Sequence, residues 1–268
     1  MLKFFLSIIF IAITAYILLC IFMYFTQARL LFFPPKVQSS HYEKISQNIN
    51  LENIQIATKD GDTLDGWEQR ATNKKYVLLY FGWNAEEASY FVEKYSYRDT
   101  NIISFNYRSY GRSTGKASEK IMFSDAIQIY DILVNDYHID PKNIILMGRS
   151  LGTGVATYLS SQRSVKKVIL VTPYDSVESL AKEWYPFIPV SLLLRNKFDS
   201  LSYASIRSNR LLCIYGGKDT TIPNHHTENL LNYWNGSIQK IFIPEATHED
   251  ILDKAELIDG IDQFISPT

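Results

Sequence analysis

Hydrophobic residues form one long, uninterrupted run at the start of the chain and then a series of much shorter runs. The first run covers 22 residues, from Phe4 to Phe25, and contains no charged side chain. A helix of that length rises about 33 Å, which is enough to cross the hydrocarbon core of a bilayer. We therefore predict an N-terminal transmembrane anchor over residues 1–28.

Two alternatives to an anchor fit this run less well. A buried core helix is seldom free of charge over such a length at the N-terminus. A cleaved signal peptide would explain the small residues in Thr26-Gln27-Ala28, but its apolar core would be only about 7–15 residues long. We favour an uncleaved, single-pass membrane anchor.

The sequence does not fix the side of the membrane on which the C-terminal domain lies. Lys3 precedes the run, whereas Arg29, Lys36 and Lys44 follow it. The larger number of basic residues after the run favours a cytoplasmic C-terminal domain. Large domains, however, are translocated largely regardless of such charges.

The shorter apolar runs alternate with helical patterns. The runs are near-continuous in hydrophobic residues, which is typical of parallel strands buried on both faces. They cover 76–81, 101–105, 143–147, 167–171, 211–215 and 239–243, and the helical patterns cover 85–94, 118–137, 151–161, 228–234 and 251–264. This alternation predicts an α/β domain, a parallel sheet with helices on both faces.

Two further strands precede this series. The segment 54–67 contains Asp60-Gly61-Asp62, a turn signal for a hairpin. We expect it to supply an antiparallel pair at the sheet edge, which gives a mostly parallel sheet of eight strands. The stretch 30–35, apolar with two prolines, is expected to be extended. The whole of 29–268 is predicted to be one domain.

One long segment breaks the alternation. Residues 173–210 carry Trp184-Tyr-Pro-Phe-Ile-Pro189 and Leu192-Leu-Leu194. The segment is too long for a simple crossover and too apolar for a solvated loop, and long insertions are usually functional. We predict a short helical cap over the carboxyl ends of the strands, with ordinary helix packing as the alternative.

Composition and charge narrow the possible partners. The 268 residues are 46% hydrophobic and 21% charged, with a net charge of −1. This balance excludes a disordered chain and a protein that binds nucleic acid through a basic excess. The two cysteines, Cys20 and Cys213, cannot build a disulfide framework or a structural zinc site by themselves.

The candidate nucleophile is Ser150, in the G-x-S-x-G sequence Gly148-Arg-Ser-Leu-Gly152. The pattern follows the run 143–147 and opens a helical pattern, which is the strand–turn–helix setting of a nucleophile elbow. Side chains at 148 and 152 would collide with the neighbouring chain at such a sharp turn, and glycine avoids this because it has no side chain. The alternative is a glycine-rich helix start without chemistry.

A serine hydroxyl needs a base, and the base needs an orienting acid. In a hydrolase sheet both follow later strands, in the order Ser, Asp or Glu, His. Asp219 follows the run 211–215 and fits the acid. Asp250 is a rival carboxylate whose position suggests a helix N-cap.

His248 follows the last predicted strand and fits the base. The other four histidines are excluded by position: His41, His138, His225 and His226. The first precedes the sheet, the second precedes the nucleophile strand, and the last two follow the acid too closely and are expected in the first turn of a helix.

An oxyanion hole completes such a site. One donor is expected to be the backbone N–H of Leu151, directly after the nucleophile. The second is expected from the loop after the run 76–81, where the Trp83 backbone N–H is the candidate.

Residues from about 50 to 265 resemble the α/β-hydrolase superfamily. Within it, they resemble the membrane-anchored α/β-hydrolase-domain group with serine-aminopeptidase-like (S33-type) domains, which includes lysophospholipid lipases and protein depalmitoylases. The landmarks are Asn106-Tyr-Arg-Ser-Tyr-Gly-Arg-Ser113, the elbow, Thr172-Pro-Tyr-Asp-Ser176, Lys197-Phe-Asp199, the stretch from Gly216 to Pro223, and Ala246-Thr-His248. The resemblance implies the α/β-hydrolase fold, the triad Ser150–Asp219–His248 and hydrolysis through an acyl-enzyme.

The chain departs from this group at two places. The group usually has His-Gly-Asn where this chain has Phe81-Gly82-Trp83, and Asp-Tyr-Arg-Gly where it has Asn106-Tyr-Arg-Ser109. The first difference affects the oxyanion loop. Neither removes a catalytic side chain.

The sequence thus predicts a membrane-anchored serine hydrolase that acts on a small-molecule or lipid acyl ester or thioester. It needs no metal and no organic cofactor, and we expect no nucleic-acid partner. The alternatives are an aminopeptidase-like enzyme, with Glu178, Glu183 and Asp199 as candidates to hold a substrate amine, and a non-catalytic module on a hydrolase scaffold. The oligomeric state is not predicted.

Overall fold

An eight-stranded sheet lies at the centre of the protein in a computed structural model, which describes residues 1–73, 75–97, 99–206 and 208–266. The strands are β1 (Leu51–Ala57), β2 (Thr63–Gln69), β3 (Tyr76–Phe81), β4 (Thr100–Phe105), β5 (Ile144–Arg149), β6 (Lys167–Val171), β7 (Leu211–Gly216) and β8 (Ile238–Ile243). Their order is β1-β2-β4-β3-β5-β6-β7-β8. β2 is antiparallel to both of its neighbours, β1 and β4. The pairs from β4 to β8 are parallel.

The structure also contains helices on both faces of this sheet and outside it. They are α1 (Leu2–Leu31), α2 (Ser39–Ile45), α3 (Ala88–Lys94), α4 (Glu119–Asn135), α5 (Leu151–Gln162), α6 (Val177–Trp184), α7 (Val190–Leu193), α8 (Leu201–Ala204), α9 (Asn224–Tyr233) and α10 (Ala255–Ile265), with short 3-10 turns at Pro141–Asn143 and Ile251–Asp253. Successive strand residues point to opposite faces, so Leu79 packs in the core beneath α4 and α5 while Leu78 packs beneath α3 and α10.

The predicted α/β-hydrolase fold is confirmed, including the antiparallel pair at one edge of the sheet. Some boundaries differ. The last predicted helix divides into a 3-10 turn and α10, and α2 was not predicted. The extended conformation expected over 30–35 begins only at Phe32, because α1 continues to Leu31. Within the predicted domain and cap, residues 74, 98, 207, 267 and 268 lie outside the described part of the chain.

A buried arginine ties the edge hairpin to α4. The Arg108 guanidinium is only 5% exposed, and it pairs with Asp60 at 2.7 Å, Asp62 at 2.6 Å and Asp125 at 2.8 Å. Asp60 and Asp62 belong to the predicted hairpin turn, and Asp125 lies on α4. Arg108 belongs to the sequence landmark after β4. Its ion-pair partners lie both in the hairpin turn and on α4.

The segment predicted as a cap carries α6, α7 and α8, and it contacts α1. The Tyr16 hydroxyl donates to the Phe187 carbonyl at 2.9 Å, and the Gln27 amide nitrogen donates to the Leu193 carbonyl at 3.0 Å. The Arg195 N–H in turn donates to the Gln27 side-chain oxygen at 2.7 Å. The N-terminal helix is thus joined to the cap along several turns.

Helix α1 is long and apolar enough to cross a membrane. Its 30 residues include no buried side chain, so it is not a core helix of the domain. An N-terminal signal sequence meets the same criteria of length and composition. The anchor over 1–28 and the domain over 29–268 stay predictions.

Candidate active site

Ser150 lies at the sharp turn between β5 and α5. Its backbone has φ 50° and ψ −120°, a sparsely populated conformation that costs about 1–3 kcal/mol and persists where the surroundings enforce it. A Cβ on Gly148 would lie 2.4 Å from the Gly152 carbonyl oxygen, and a Cβ on Gly152 would lie 2.1 Å from that of Phe81. Both glycines are therefore required by close backbone contacts, as the elbow pattern predicts.

The structure brings the three predicted triad side chains together. His248 Nε2 lies 2.9 Å from Ser150 Oγ, and His248 Nδ1 lies 2.8 Å from Asp219 Oδ2. The carboxylate can only accept, so Nδ1 carries the proton and Nε2 presents its lone pair to the serine hydroxyl. This is the arrangement in which the imidazole can remove the serine proton.

Backbone amides hold the Asp219 carboxylate in position. Its Oδ1 accepts N–H groups from Thr221 at 2.9 Å and Ile222 at 2.8 Å, which leaves Oδ2 for His248. The rival, Asp250, instead accepts the Thr247 N–H at 2.8 Å and pairs with Lys254 at 2.7 Å. Asp250 takes the predicted N-cap position, that of the 3-10 turn Ile251–Asp253, but its side chain makes no capping hydrogen bond there.

Arg149 links the nucleophile turn to the histidine loop. Its guanidinium donates to the carbonyl oxygens of His248 at 3.0 Å and Glu249 at 3.1 Å, and it lies 4.8 Å from the centre of the Trp83 ring. The sequence pattern treats this position as any residue. Arg149 is therefore a residue of the site that pattern analysis missed.

The two expected oxyanion donors are in different situations. Leu151 is the first residue of α5, so its N–H has no acceptor within the helix. The Trp83 N–H, however, donates to Glu86 Oε2 at 3.2 Å. In this structure the second donor is therefore engaged with a side chain that the sequence did not single out.

Glu86 is a buried carboxyl group behind the oxyanion loop. It also accepts the Tyr80 hydroxyl at 2.8 Å. Burial raises the pKa of Glu86, and the positive charge of Arg149 opposes that rise. A Cβ on Gly82 would lie 2.8 Å from Glu86 Oε2, so the glycine of the oxyanion loop leaves room for this carboxyl group.

An open, mainly apolar pocket ends at Ser150 and His248. One wall comes from the cap, with Leu180, Trp184 and Leu193, and another from the end of α1, with Met23, Gln27 and Leu30. Among the described residues that line the pocket, Glu249 is the only carboxylate. The candidate nucleophile therefore faces a space suited to a hydrocarbon group.

No family model matches the chain. Among curated proteins, an uncharacterized protein of Mycobacterium tuberculosis is 27% identical over 257 residues, covering 92% of this chain and 90% of its own length. Alpha/beta hydrolase domain-containing protein 17C of Mus musculus is 29% identical over 204 residues, covering 73% of this chain. That match spans only 61% of the mouse protein's length.

Solved structures match the fold. The esterase Pf2001 of Pyrococcus furiosus aligns with a TM-score of 0.68 at 17% identity, over 88% of this chain and 96% of the esterase. An alpha-beta hydrolase from Vibrio vulnificus aligns with a TM-score of 0.67 at 19% identity, over 85% of this chain and 87% of that protein. The chain therefore has the α/β-hydrolase fold, and it is similar in sequence to proteins named for an alpha/beta hydrolase domain.

Proposed function

We propose that this protein is a membrane-anchored serine hydrolase that cleaves acyl esters or thioesters. The observation that carries the proposal is the chain of hydrogen bonds from Asp219 through His248 to Ser150, at the end of an apolar pocket. A strained serine, an oriented imidazole and a buried carboxylate are the parts that nucleophilic acyl transfer requires. A non-catalytic module would have no use for this arrangement.

The reaction follows from these positions. His248 Nε2 takes the proton as Ser150 Oγ attacks the acyl carbonyl carbon, and Asp219 stabilises the imidazolium that forms. The tetrahedral intermediate collapses when His248 gives that proton to the leaving alcohol or thiol. Water then attacks the acyl-enzyme by the same route and releases the carboxylic acid.

The Leu151 N–H is the primary donor to the oxyanion in this proposal, because α5 offers it no other acceptor. The Trp83 N–H is the second donor. It serves this role by sharing its hydrogen between Glu86 and the oxyanion, or by turning away from Glu86 when substrate binds.

The pocket wall favours a substrate with a hydrocarbon acyl group. Leu180, Trp184 and Leu193 of the cap line it together with Met23 and Leu30 of α1. Burying an aliphatic chain between such walls is worth about 0.8 kcal/mol for each methylene. A short polar acyl group would gain little from this environment.

The rim of the cap favours access from a bilayer. Phe187 is 86% exposed and Leu192 is 81% exposed, and Tyr16 of the membrane helix contacts Phe187 directly. Exposed apolar groups next to a membrane span are typical of a surface that meets lipid. An acyl chain in the bilayer would then reach the pocket without crossing water.

The aminopeptidase alternative has less support. The three candidate carboxylates do not line the pocket, and each has another partner: Glu178 pairs with Lys182, Glu183 with His225, and Asp199 accepts from Ser202. Among the described residues that line the pocket, only the Glu249 carboxyl group could pair with a substrate amine.

Hydrolysis rates of full-length protein in detergent, compared across acyl chain lengths and leaving groups, test this proposal. We expect p-nitrophenyl esters and acyl thioesters to be cleaved faster as the chain lengthens, with aminoacyl amides poor substrates and Ser150→Ala inactive. Ala181→Phe, which fills the pocket wall, should shift the preference to shorter chains. Preference for aminoacyl amides would favour the peptidase, and undiminished activity of Ser150→Ala would refute a serine mechanism.

A further inference from the structure

Two histidines and a glutamate meet between the cap and helix α9, apart from the triad. Glu183 lies near the end of α6, and His225 and His226 lie in the first turn of α9. Glu183 Oε2 lies 3.0 Å from His225 Nε2 and 3.0 Å from His226 Nε2. The candidate ligand atoms of the three side chains all lie within 4.8 Å of one another.

His226 faces a carboxylate at each ring nitrogen. Its Nδ1 lies 2.9 Å from Asp175 Oδ1, while its Nε2 faces Glu183. A neutral imidazole has one N–H, so it can donate to only one of two carboxylates. The His226 side chain is only 5% exposed, and an unpaired acceptor is costly at such a site. Two acceptors, the Nε2 lone pair and the Glu183 carboxylate, then face each other, and a metal ion between them would satisfy both.

Asp175 fixes which nitrogen is available. Its carboxylate also accepts the Asn229 side-chain amide at 2.8 Å and the Ser176 N–H at 2.6 Å, so it is held in place. It accepts a hydrogen bond from the Nδ1–H of His226 and leaves the Nε2 lone pair directed at Glu183. A carboxylate that orients a histidine in this way is a regular companion of zinc-bound imidazole.

We propose that Glu183, His225 and His226 bind a divalent transition-metal ion, with Zn²⁺ the best match, and that water fills the fourth position. Imidazole nitrogens and one carboxylate oxygen are ligands that Zn²⁺ prefers. Ligand atoms about 3.3–3.4 Å apart suit a tetrahedral site with bonds of about 2.0–2.1 Å. The two 3.0 Å pairs need to open by a few tenths of an ångström, and the ligand nitrogens of His225 and His226, which lie within 4.8 Å of each other, need to settle at the same spacing. His225 and Glu183 are exposed, which gives the ion a path from solvent.

The ion would fasten the cap beside the catalytic site. Leu180, Ala181 and Trp184 of α6 line the active-site pocket, and so do Thr221 and Ile222, which precede α9. A bond from Glu183 to a metal held by α9 therefore holds one pocket wall against the loop that carries Asp219. The metal takes no part in the acyl-transfer steps.

Zinc titration of the full-length protein, stripped of metal with a chelator and held in detergent, tests the site. We expect one Zn²⁺ per chain by calorimetry, and slower amide hydrogen exchange in α6 when it binds. His225→Asn and Glu183→Gln alter exposed side chains and should each weaken binding at least about tenfold, while Asp175→Asn should weaken it about 10–100-fold. His138→Asn, an exposed histidine elsewhere, should bind as the wild type does.

The same zinc titration shows whether the site depends on catalysis. Ser150→Ala should bind Zn²⁺ normally, because the site does not depend on catalysis. The proposal is overturned if no Zn²⁺ binds at micromolar concentration. It is equally overturned if binding survives unchanged in the double variant of His225→Asn and Glu183→Gln.

Discussion

Two carboxylates compete for the role of acid at the scale of single residues, and their surroundings separate them. Asp219 is fixed by two backbone amides and points its other oxygen at His248, whereas Asp250 is engaged by Thr247 and Lys254. Exchange of a carboxylate for an amide keeps the shape of the side chain but allows the wrong imidazole tautomer. The two aspartates therefore form a matched pair for mutation.

Asp219→Asn should lower kcat by about 10⁴-fold, because Nδ1 of His248 no longer meets an obligate acceptor. Asp250→Asn should retain nearly full activity. Steady-state hydrolysis of a p-nitrophenyl ester measures both. A loss of activity in Asp250→Asn as large as that in Asp219→Asn would contradict the assignment of Asp219 as the acid.

The amide of Trp83 makes a second prediction at this scale. Trp83→Pro removes the N–H and should lower kcat by about 10²–10³-fold if that N–H holds the oxyanion, whereas Trp83→Ala keeps the amide and should lose far less. Circular dichroism of both variants controls for folding. Similar activity in the two folded variants would leave Leu151 as the only backbone donor.

The sequence predicted the triad but not the residues behind it. Ser150 lies in the G-x-S-x-G motif, and Asp219 and His248 follow later strands in the known order, so motif and position together select them. Glu86 and Arg149 act through contacts across the fold, Glu86 with the Trp83 amide and Arg149 with the carbonyl of His248. No periodicity or spacing encodes such contacts.

At the scale of elements, the strands were predictable because each is a near-continuous apolar run between turn residues. The junction of α1 with the cap was not. It depends on hydrogen bonds between Gln27 and two distant residues, Leu193 and Arg195. The sequence around a polar side chain at the end of an apolar run does not indicate which distant segment it will bind.

Arg108 makes a stability prediction for the elements it joins. Arg108→Ala leaves Asp125 buried without its partner, and loss of one member of a buried ion pair costs about 3–5 kcal/mol. Arg163→Ala, which breaks the half-exposed pair with Asp131, should cost no more than about 1 kcal/mol. Urea unfolding measures both, and comparable losses would contradict the structural role of Arg108.

The cap should respond to acid through Glu178. Hydrogen bonds from Lys182, Lys197 and Ser191 lower the pKa of this carboxyl group from 4.5 to about 2. A lowered folded-state pKa stabilises the fold above the unfolded value and the contribution is lost as pH falls through the folded value. Stability from Glu178 is therefore complete above about pH 4.5 and is lost towards pH 2.

Thermal unfolding of wild type and Glu178→Gln across this range tests the contribution. The gap between the two unfolding temperatures should be largest above pH 4.5 and should shrink steadily below it. A gap that stays constant down to the lowest pH at which both proteins fold would show that the ion pairs do not stabilise the cap.

At the scale of the whole molecule, the apolar N-terminal helix and the α/β domain build one pocket together. Residues of α1 line the pocket that ends at Ser150, so the proposed anchor would also shape the proposed substrate site. Composition predicted the membrane anchor, and the G-x-S-x-G motif predicted acyl transfer. Only the folded chain places the two side by side.

Active-site labelling with a fluorophosphonate tests the central claim most directly. The reagent phosphonylates a serine only where a base and an oxyanion site activate it, and peptide mass spectrometry identifies the modified residue. We predict stoichiometric labelling of wild type at Ser150, and no labelling of Ser150→Ala. Absence of label on the folded wild type, or label on another residue, would contradict a serine hydrolase built on Ser150, Asp219 and His248.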